Sequence, residues 1–270
     1  MAELPEIVKL AEQMNQKLKG KKIKSLTLNQ EKCINIPEDE FKLRSIGGTI
    51  THVEHKGKWI ITSLDNGENL LMSLGMGADV LYFEQEKKLP EKYQVKLNFT
   101  DGTGYTIRFW WFGKFLLCAE ENMAEEKNIK DIGLDPWSPS FTRSYFIDLL
   151  EGRRTQVKSF LLNQKNISGI GNMYMHDILF RAGLHPKKKI SDLSKTEKNR
   201  LYDSILDILN FSREKGTFSY ESDFFGEKGG YDHFIVGYKE NEPCPDCNTE
   251  IVMIKTGSTT SYLCPACQVL

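Results

Sequence analysis

The sequence has no apolar run approaching the roughly 20 residues needed to span a bilayer, so a transmembrane chain is not expected. It also has no low-complexity tract and no internal repeat. Charge of one sign is missing as well. The 36 Lys and Arg residues nearly balance 37 Asp and Glu, and a net charge of -1 gives no global pull toward nucleic acid. Residues Met1 to Lys9 are acidic and mixed rather than basic and then apolar, so no signal peptide is visible and a soluble cytoplasmic protein is the expectation. Cysteine is scarce too. Six in an intracellular chain read as thiols or metal ligands rather than a disulfide framework. Cys33 and Cys118, each alone in apolar surroundings, read as buried thiols.

What is present suits an ordinary globular protein: 270 residues, 40% hydrophobic and 27% charged, enough for two domains or one with an appendage. Pro5 is tolerated in a first helical turn, and Ile7, Val8, Leu10, Ala11, Met14 and Leu18 recur at helical spacing up to Gly20. From Ile23 to Cys118 the pattern changes to short β-rich runs, among them Thr49 to Glu54, Trp59 to Leu64, Asn69 to Leu74, Val95 to Phe99 and Tyr105 to Phe109. Asn66-Gly67 and Asp101-Gly102-Thr103-Gly104 supply turns, which predicts an antiparallel sandwich of roughly eight strands. Residues 120 to 131 are acidic and polar, and Asp135-Pro136-Trp137-Ser138-Pro139 resists regular structure, so a linker falls there. Helical periodicity follows at Phe141 to Leu150, Val157 to Leu162, Asn172 to Ala182 and Ser194 to Lys215, the last opening with the Ser194 and Glu197 of a capping box. The remainder is rich in glycine and turns. The expected architecture is α+β and multidomain: a helix and β-sandwich over 1–135, a helical domain over 136–225, and a loop with a finger over 226–270.

Near the C terminus Cys244, Cys247, Cys264 and Cys267 form two Cys-x2-Cys pairs sixteen residues apart, the spacing of a four-thiolate zinc site. Pro245 and Pro265 favour the tight turns that aim both thiols of a pair the same way. With sulfur in all four positions one zinc ion would be structural, and it would supply much of the segment's folding free energy.

Three other features are ambiguous by themselves. Glu3 and Glu6 flank Pro5 at the start of a helix, where carboxylates serve either as helix-dipole partners or as acid-base groups near the terminal amine. Ser168-Gly169-Ile170-Gly171-Asn172-Met173-Tyr174 lies between helices, either as a plain turn or as a phosphate site of exposed helix-start amides. Basic clusters at Lys17 to Lys24, at Arg153, Arg154 and Lys158, and at Lys187 to Lys189 read as solvated faces and become evidence for a nucleic-acid partner only if the fold gathers them on one side.

Taken in order, Glu3-Leu4-Pro5-Glu6, the β-sandwich, His55-Lys56-Gly57-Lys58-Trp59, Leu74-Gly75-Met76, Phe112-Gly113, Gly169-Ile170-Gly171-Asn172 and the four cysteines resemble the family of formamidopyrimidine-DNA glycosylases and endonuclease VIII over the full length. The resemblance implies a helix-two-turn-helix domain and a C-terminal zinc finger. It implies base-excision repair on double-stranded DNA carrying a damaged base or abasic site, by a monomer that flips the damaged nucleotide into a pocket between domains. In the family the terminal amine exposed by loss of Met1 attacks the sugar. Glu3 then matches the general acid/base, Glu6 a second acid beside the amine, and Lys58 a lysine that holds the flipped nucleotide's phosphate. Met76 matches the residue that fills the void, Phe112 the aromatic wedge, and Asn172 a phosphate ligand, with Lys158 and Tyr174 as further phosphate contacts.

Three departures qualify that picture. Ala2 stands where the family normally has proline, which predicts weak or absent strand cleavage. Arg108-Phe109-Trp110-Trp111 replaces a loop often reading Asp-Pro-Arg-Arg, so Trp110 and its neighbour would stack on bases instead. Gly257-Ser258-Thr259-Thr260 holds no arginine, which predicts a finger with little phosphate contact. The leading expectation is a glycosylase, and its rival is a non-catalytic relative that binds damaged DNA. The lesion is not identified, although the glycine-bearing stretch Thr217 to Phe234 is the expected pocket loop.

Overall fold

The computed structural model describes residues 2–85 and 89–270. They form two compact units, Met1–Asp131 with Lys215–Tyr231, and Ile132–Glu214 with Asp232–Leu270. This division differs from the three consecutive segments expected. The chain leaves the second unit after its longest helix, returns to the first for residues 215–231, and goes back again, so the finger shares a unit with the helices.

The first unit opens with α1 (Leu4–Leu18), whose Ile7, Leu10, Ala11, Met14 and Leu18 are buried at helical spacing. Each such side chain contributes about 1.5–3 kcal/mol of burial. Eight strands follow: β1 (Ile23–Leu28), β2 (Ile50–Lys56), β3 (Trp59–Leu64), β4 (Glu68–Ser73), β5 (Ala78–Phe83), β6 (Val95–Phe99), β7 (Gly104–Phe109) and β8 (Lys114–Ala119). They pair antiparallel in two four-stranded sheets, β1-β6-β7-β5 and β2-β3-β4-β8, around one core. Helix α1 packs mainly against β2, and the Asn15 amide oxygen accepts the Val53 N–H at 2.9 Å. A short helix, α2 (Glu38–Ser45), was not expected. It buries only Phe41 and Ser45, too little for an apolar period, and Phe41 stacks on Phe115 with ring centroids 5.5 Å apart.

The return segment is welded to this unit by Phe224, which is wholly buried in the sandwich core beside Tyr82 and Tyr105. The carboxylate of Asp223 accepts from Lys9 Nζ at 3.1 Å and Gln13 Nε2 at 2.9 Å, and the Gln13 oxygen accepts the Phe224 N–H at 3.0 Å.

The second unit contains α3 (Arg143–Leu150), α4 (Val157–Leu162), α5 (Met175–Arg181), α6 (Lys195–Glu214) and the hairpin β9 (Val252–Thr256) and β10 (Thr259–Leu263). The reciprocal cap at the start of α6 is present: Ser194 Oγ accepts the Glu197 N–H, and the Glu197 carboxylate accepts the Ser194 N–H. Helix α6 packs on α5 and α3. Among the described residues no helix is long and apolar enough to cross a membrane.

Candidate functional site

At the start of α1, Ala2, Glu3 and Glu6 are all buried. One oxygen of Glu6 accepts the Glu3 N–H at 2.9 Å and the other accepts the Phe218 N–H at 3.0 Å, so this carboxylate caps the helix and ties down the return segment together. Lys58 occupies the two-residue turn between β2 and β3, where Gly57 takes a φ of 58° that an L residue resists. Burial pushes the Lys58 ammonium below the usual lysine range, while the charges of Glu3 and Glu6 pull it back up. Among the described residues its side chain makes no hydrogen bond or ion pair. The residues expected to be catalytic are therefore brought together, with one ammonium facing two carboxylates.

At the same end of the β2-β3-β4-β8 sheet, where Trp59 pairs with Ser73 and Ser73 with Lys114, two loops continue the β5–β7 pairing beyond its strands. Trp110 N–H donates to Gly77 O and Met76 N–H to Trp111 O, both at 2.9 Å. A Cβ on Gly77 would lie 2.4 Å from the Trp110 ring, so glycine is required for this closeness. Trp110 is pinned: its ring lies on Gly77, its Nε1–H donates to Asp79 at 3.2 Å, and its edge meets Tyr220. Its neighbours are not. Met76, Trp111 and Phe112 are 50%, 68% and 79% exposed. Phe112 is held at a φ of 57°, a conformation costing a non-glycine residue about 1–3 kcal/mol.

In the second unit, the turn between α4 and α5 is braced by Gln164, whose amide accepts the Gly169 N–H at 2.9 Å and donates to Ile170 O at 2.7 Å. Asn172 ends this turn with its amide 3.3 Å from His176 Nε2. Lys158 and Tyr174, expected as phosphate contacts, are oriented otherwise. Tyr174 is fully buried with its hydroxyl 2.5 Å from Ser212 Oγ. Lys158 is 3% exposed and spends its three N–H donors on Thr256 Oγ1, Thr260 O and Ser261 Oγ at 2.6–2.8 Å. Burial pushes this ammonium down to about 8. Its function in this position is to join α4 to the β9–β10 turn.

The sulfurs of Cys244, Cys247, Cys264 and Cys267 lie within 4.8 Å of one another, with Cys244–Cys267, Cys247–Cys264 and Cys247–Cys267 at 3.4–3.9 Å. A tetrahedral metal–sulfur distance of about 2.3 Å sets sulfur–sulfur edges near about 3.8 Å, so the four thiols fit one ion. Gln268 locks the cluster to the helices, accepting the Cys264 N–H at 3.0 Å and donating to Leu184 O at 2.9 Å.

Residues 1–110 match the formamidopyrimidine-DNA glycosylase N-terminal domain and residues 132–222 the formamidopyrimidine-DNA glycosylase H2TH domain. Curated relatives match end to end. The formamidopyrimidine-DNA glycosylase of Pelotomaculum thermopropionicum is 32% identical, and those of Brevibacillus brevis and Bacillus subtilis 31%, each with 99% of both chains covered. The chain belongs to the formamidopyrimidine-DNA glycosylase family. Solved complexes of the Lactococcus lactis member superimpose on it. One, with DNA containing N7-benzyl-Fapy-dG, has a TM-score of 0.90 at 26% identity, covering 99% of this chain and all of that one. Another, with abasic-site DNA, has a TM-score of 0.91 at 25% identity with both chains fully covered.

Within this glycosylase fold several structuring residues carried no signal in the sequence. Asp177 is fully buried on α5 and accepts the N–H groups of Ile235, Val236 and Gly237 at 2.8–2.9 Å, which fixes where the chain enters the finger. The link from Glu6 to Phe218 spans 212 positions, and no local spacing announces it.

Proposed function

We propose that the protein is a DNA glycosylase that flips a damaged base out of duplex DNA and releases it, with weak or no cleavage of the strand afterwards. The observation that carries this reading is the buried set Ala2, Glu3 and Glu6 at the start of α1 with the half-buried Lys58 facing its two carboxylates, in a chain of this family.

Once Met1 is removed, the Ala2 amine is a primary amine whose ordinary pKa of about 7.7–8.0 leaves a neutral, nucleophilic fraction near pH 7.5. Its attack forms a bond to the sugar C1′ as the bond to the base breaks, and Glu3 handles the proton that the departing base takes. The C1′–O4′ bond then opens, O4′ taking a proton, to give an imine, and the imine of a primary amine draws electrons strongly only while it holds a proton. A secondary amine gives a permanently cationic iminium, so strand cleavage by elimination should be weaker here. Glu3 can also position water for simple hydrolysis. Glu6, with both oxygens occupied, holds the helix start and the return segment in place. Lys58, uncommitted among the described residues, takes the flipped nucleotide's phosphate. Phe112 wedges beside the target and Met76 fills the void, while pinned Trp110 backs them and Asn172 binds a neighbouring phosphate. Lys158 and Tyr174 act from inside the helical unit. The four thiolates hold one structural Zn2+, and the set leaves no open coordination position.

The test is base release from a panel of duplexes carrying oxidised purines and pyrimidines, read after alkaline cleavage, with borohydride trapping on abasic-site DNA alongside. Release from at least one lesion, abolished by Glu3→Gln, is expected. Tight binding without release from any lesion would replace this reading with that of a damage-binding relative. Absence of a trapped adduct would remove the Schiff base alone.

A further inference from the structure

The fold brings together two of the three basic clusters read in the sequence. Residues 151–156 link α3 to α4, and residues 182–194 link α5 to α6. The two linkers pair antiparallel, with Gln156 opposite Lys189. Ile190 N–H donates to Thr155 O at 3.0 Å, Val157 N–H to Lys188 O at 2.9 Å and Lys158 N–H to Pro186 O at 3.3 Å. Val157, Pro186 and Ile190 are buried and anchor the pair. Side chains directly opposite one another in an antiparallel pair share a face, so Gln156 and Lys189 stand together. Lys188 takes the other face, where its Nζ meets Glu197 at 2.7 Å.

Four cations are left at this joint. Arg153, Arg154, Lys187 and Lys189 are exposed, and among the described residues their side chains make no hydrogen bond or ion pair. The nearby acids are largely engaged: Glu197 holds Lys188, and Glu151 holds Lys198 at 3.4 Å. Asp192, which accepts the Ser191 hydroxyl at 2.9 Å, sets one negative charge against four positive ones. Like charges gathered without counter-ions repel one another, and a polyanion relieves that repulsion. The joint also borders the finger. Gln156 lines a recess of about 150 Å³ with Ser159 and with Gly257, Ser258 and Thr259 of the finger turn, which has no arginine.

We propose that Arg153, Arg154, Lys187 and Lys189 form a strip that binds backbone phosphates of duplex DNA, supplying from two helix linkers the positive charge that the adjoining finger turn lacks. The strip needs DNA as a partner but not base release, so a relative that bound damage without excising it would use it equally. Contacts to phosphate carry no information about the base, and the strip therefore serves damaged and undamaged duplex alike.

The test uses the full, metal-loaded chain with abasic-site and undamaged duplexes in a salt series. Replacing all four residues by serine should lower the slope of log affinity against log salt by about three, at about 0.9 per phosphate, and weaken both duplexes about tenfold to a hundredfold. The Arg153→Ser/Arg154→Ser and Lys187→Ser/Lys189→Ser pairs should each give about half of that change in slope. Exchanging arginine for lysine and lysine for arginine at the four positions should preserve the slope. In wild type, duplex DNA should protect Lys187 and Lys189 from acetylation, read by mass spectrometry. An unchanged slope, or lysines that stay reactive on DNA, overturns the proposal. Protection by polyglutamate but not by duplex would make the strip a docking face for an acidic protein and overturn it equally. The acetylation is read on wild type and remains decisive if the fourfold variant fails to fold.

Discussion

Lys58, beside the start of α1, and Lys158, beneath the finger, are both withdrawn from water in a family whose solved members hold DNA, yet their surroundings differ in kind. Around Lys158 every donor is matched by a neutral oxygen of the finger turn, and the ammonium closes a joint within the protein. Around Lys58 there are charges, Glu3 and Glu6, but no committed acceptor among the described residues. A buried lysine with satisfied donors is a structural element. One held near carboxylates without a fixed partner keeps a charge available for a ligand. Glu6, whose two oxygens are both occupied by backbone N–H groups, belongs with Lys158 on the structural side of that contrast.

The strongest test of the joint is removal of its metal. Chelation should unfold residues 243–268 while leaving the sandwich intact, because structural zinc supplies roughly 10–16 kcal/mol in segments of this kind. Hydrogen exchange would read it, and a finger that keeps its protection would mean the thiols hold without an ion. Next, Lys158→Met removes the donor to the Thr260 carbonyl and leaves the Thr256 and Ser261 hydroxyls with only each other and the turn, and should lower stability by about 3 kcal/mol. Lys58→Met should barely change the melting temperature while sharply reducing base release. Equal stability losses in the two variants would erase the distinction drawn between them.

Acid stability gives a third, smaller effect. Folded His176 has a pKa of about 3. The unfolded chain titrates it near about 6.5, so below that pH the unfolded state binds the extra proton and stability falls with pH. Between about pH 6.5 and 5 the loss should approach about 2 kcal/mol, and His176→Gln should flatten it in denaturation curves compared across pH. Smallest is the effect at Phe112. Phe112→Asn should stabilise the first unit by about 0.5–1 kcal/mol, because asparagine tolerates the left-handed conformation better, and should weaken DNA binding. A destabilised variant would show that Phe112 packs more than its exposure suggests.

Local pattern was enough for much of this molecule. Trp59–Leu64, Val95–Phe99 and Val157–Leu162 end where the residue types end, and α1 follows its apolar period from Leu4 to Leu18. The four cysteines define a metal cluster by spacing alone, because two tight turns suffice to aim each pair. Helix α2 escaped because one buried phenylalanine makes no period. What only the tertiary structure decided depends on partners far apart in the chain. Phe224 draws residues 215–231 into the sandwich core, Lys158 finds its acceptors about a hundred positions away, and the Tyr262 N–H meets Nδ1 of His176 on α5. A residue's type fixes how many hydrogen bonds it can make. Which groups satisfy them, and so whether a lysine is used up inside the protein, is settled when distant segments pack and exclude water.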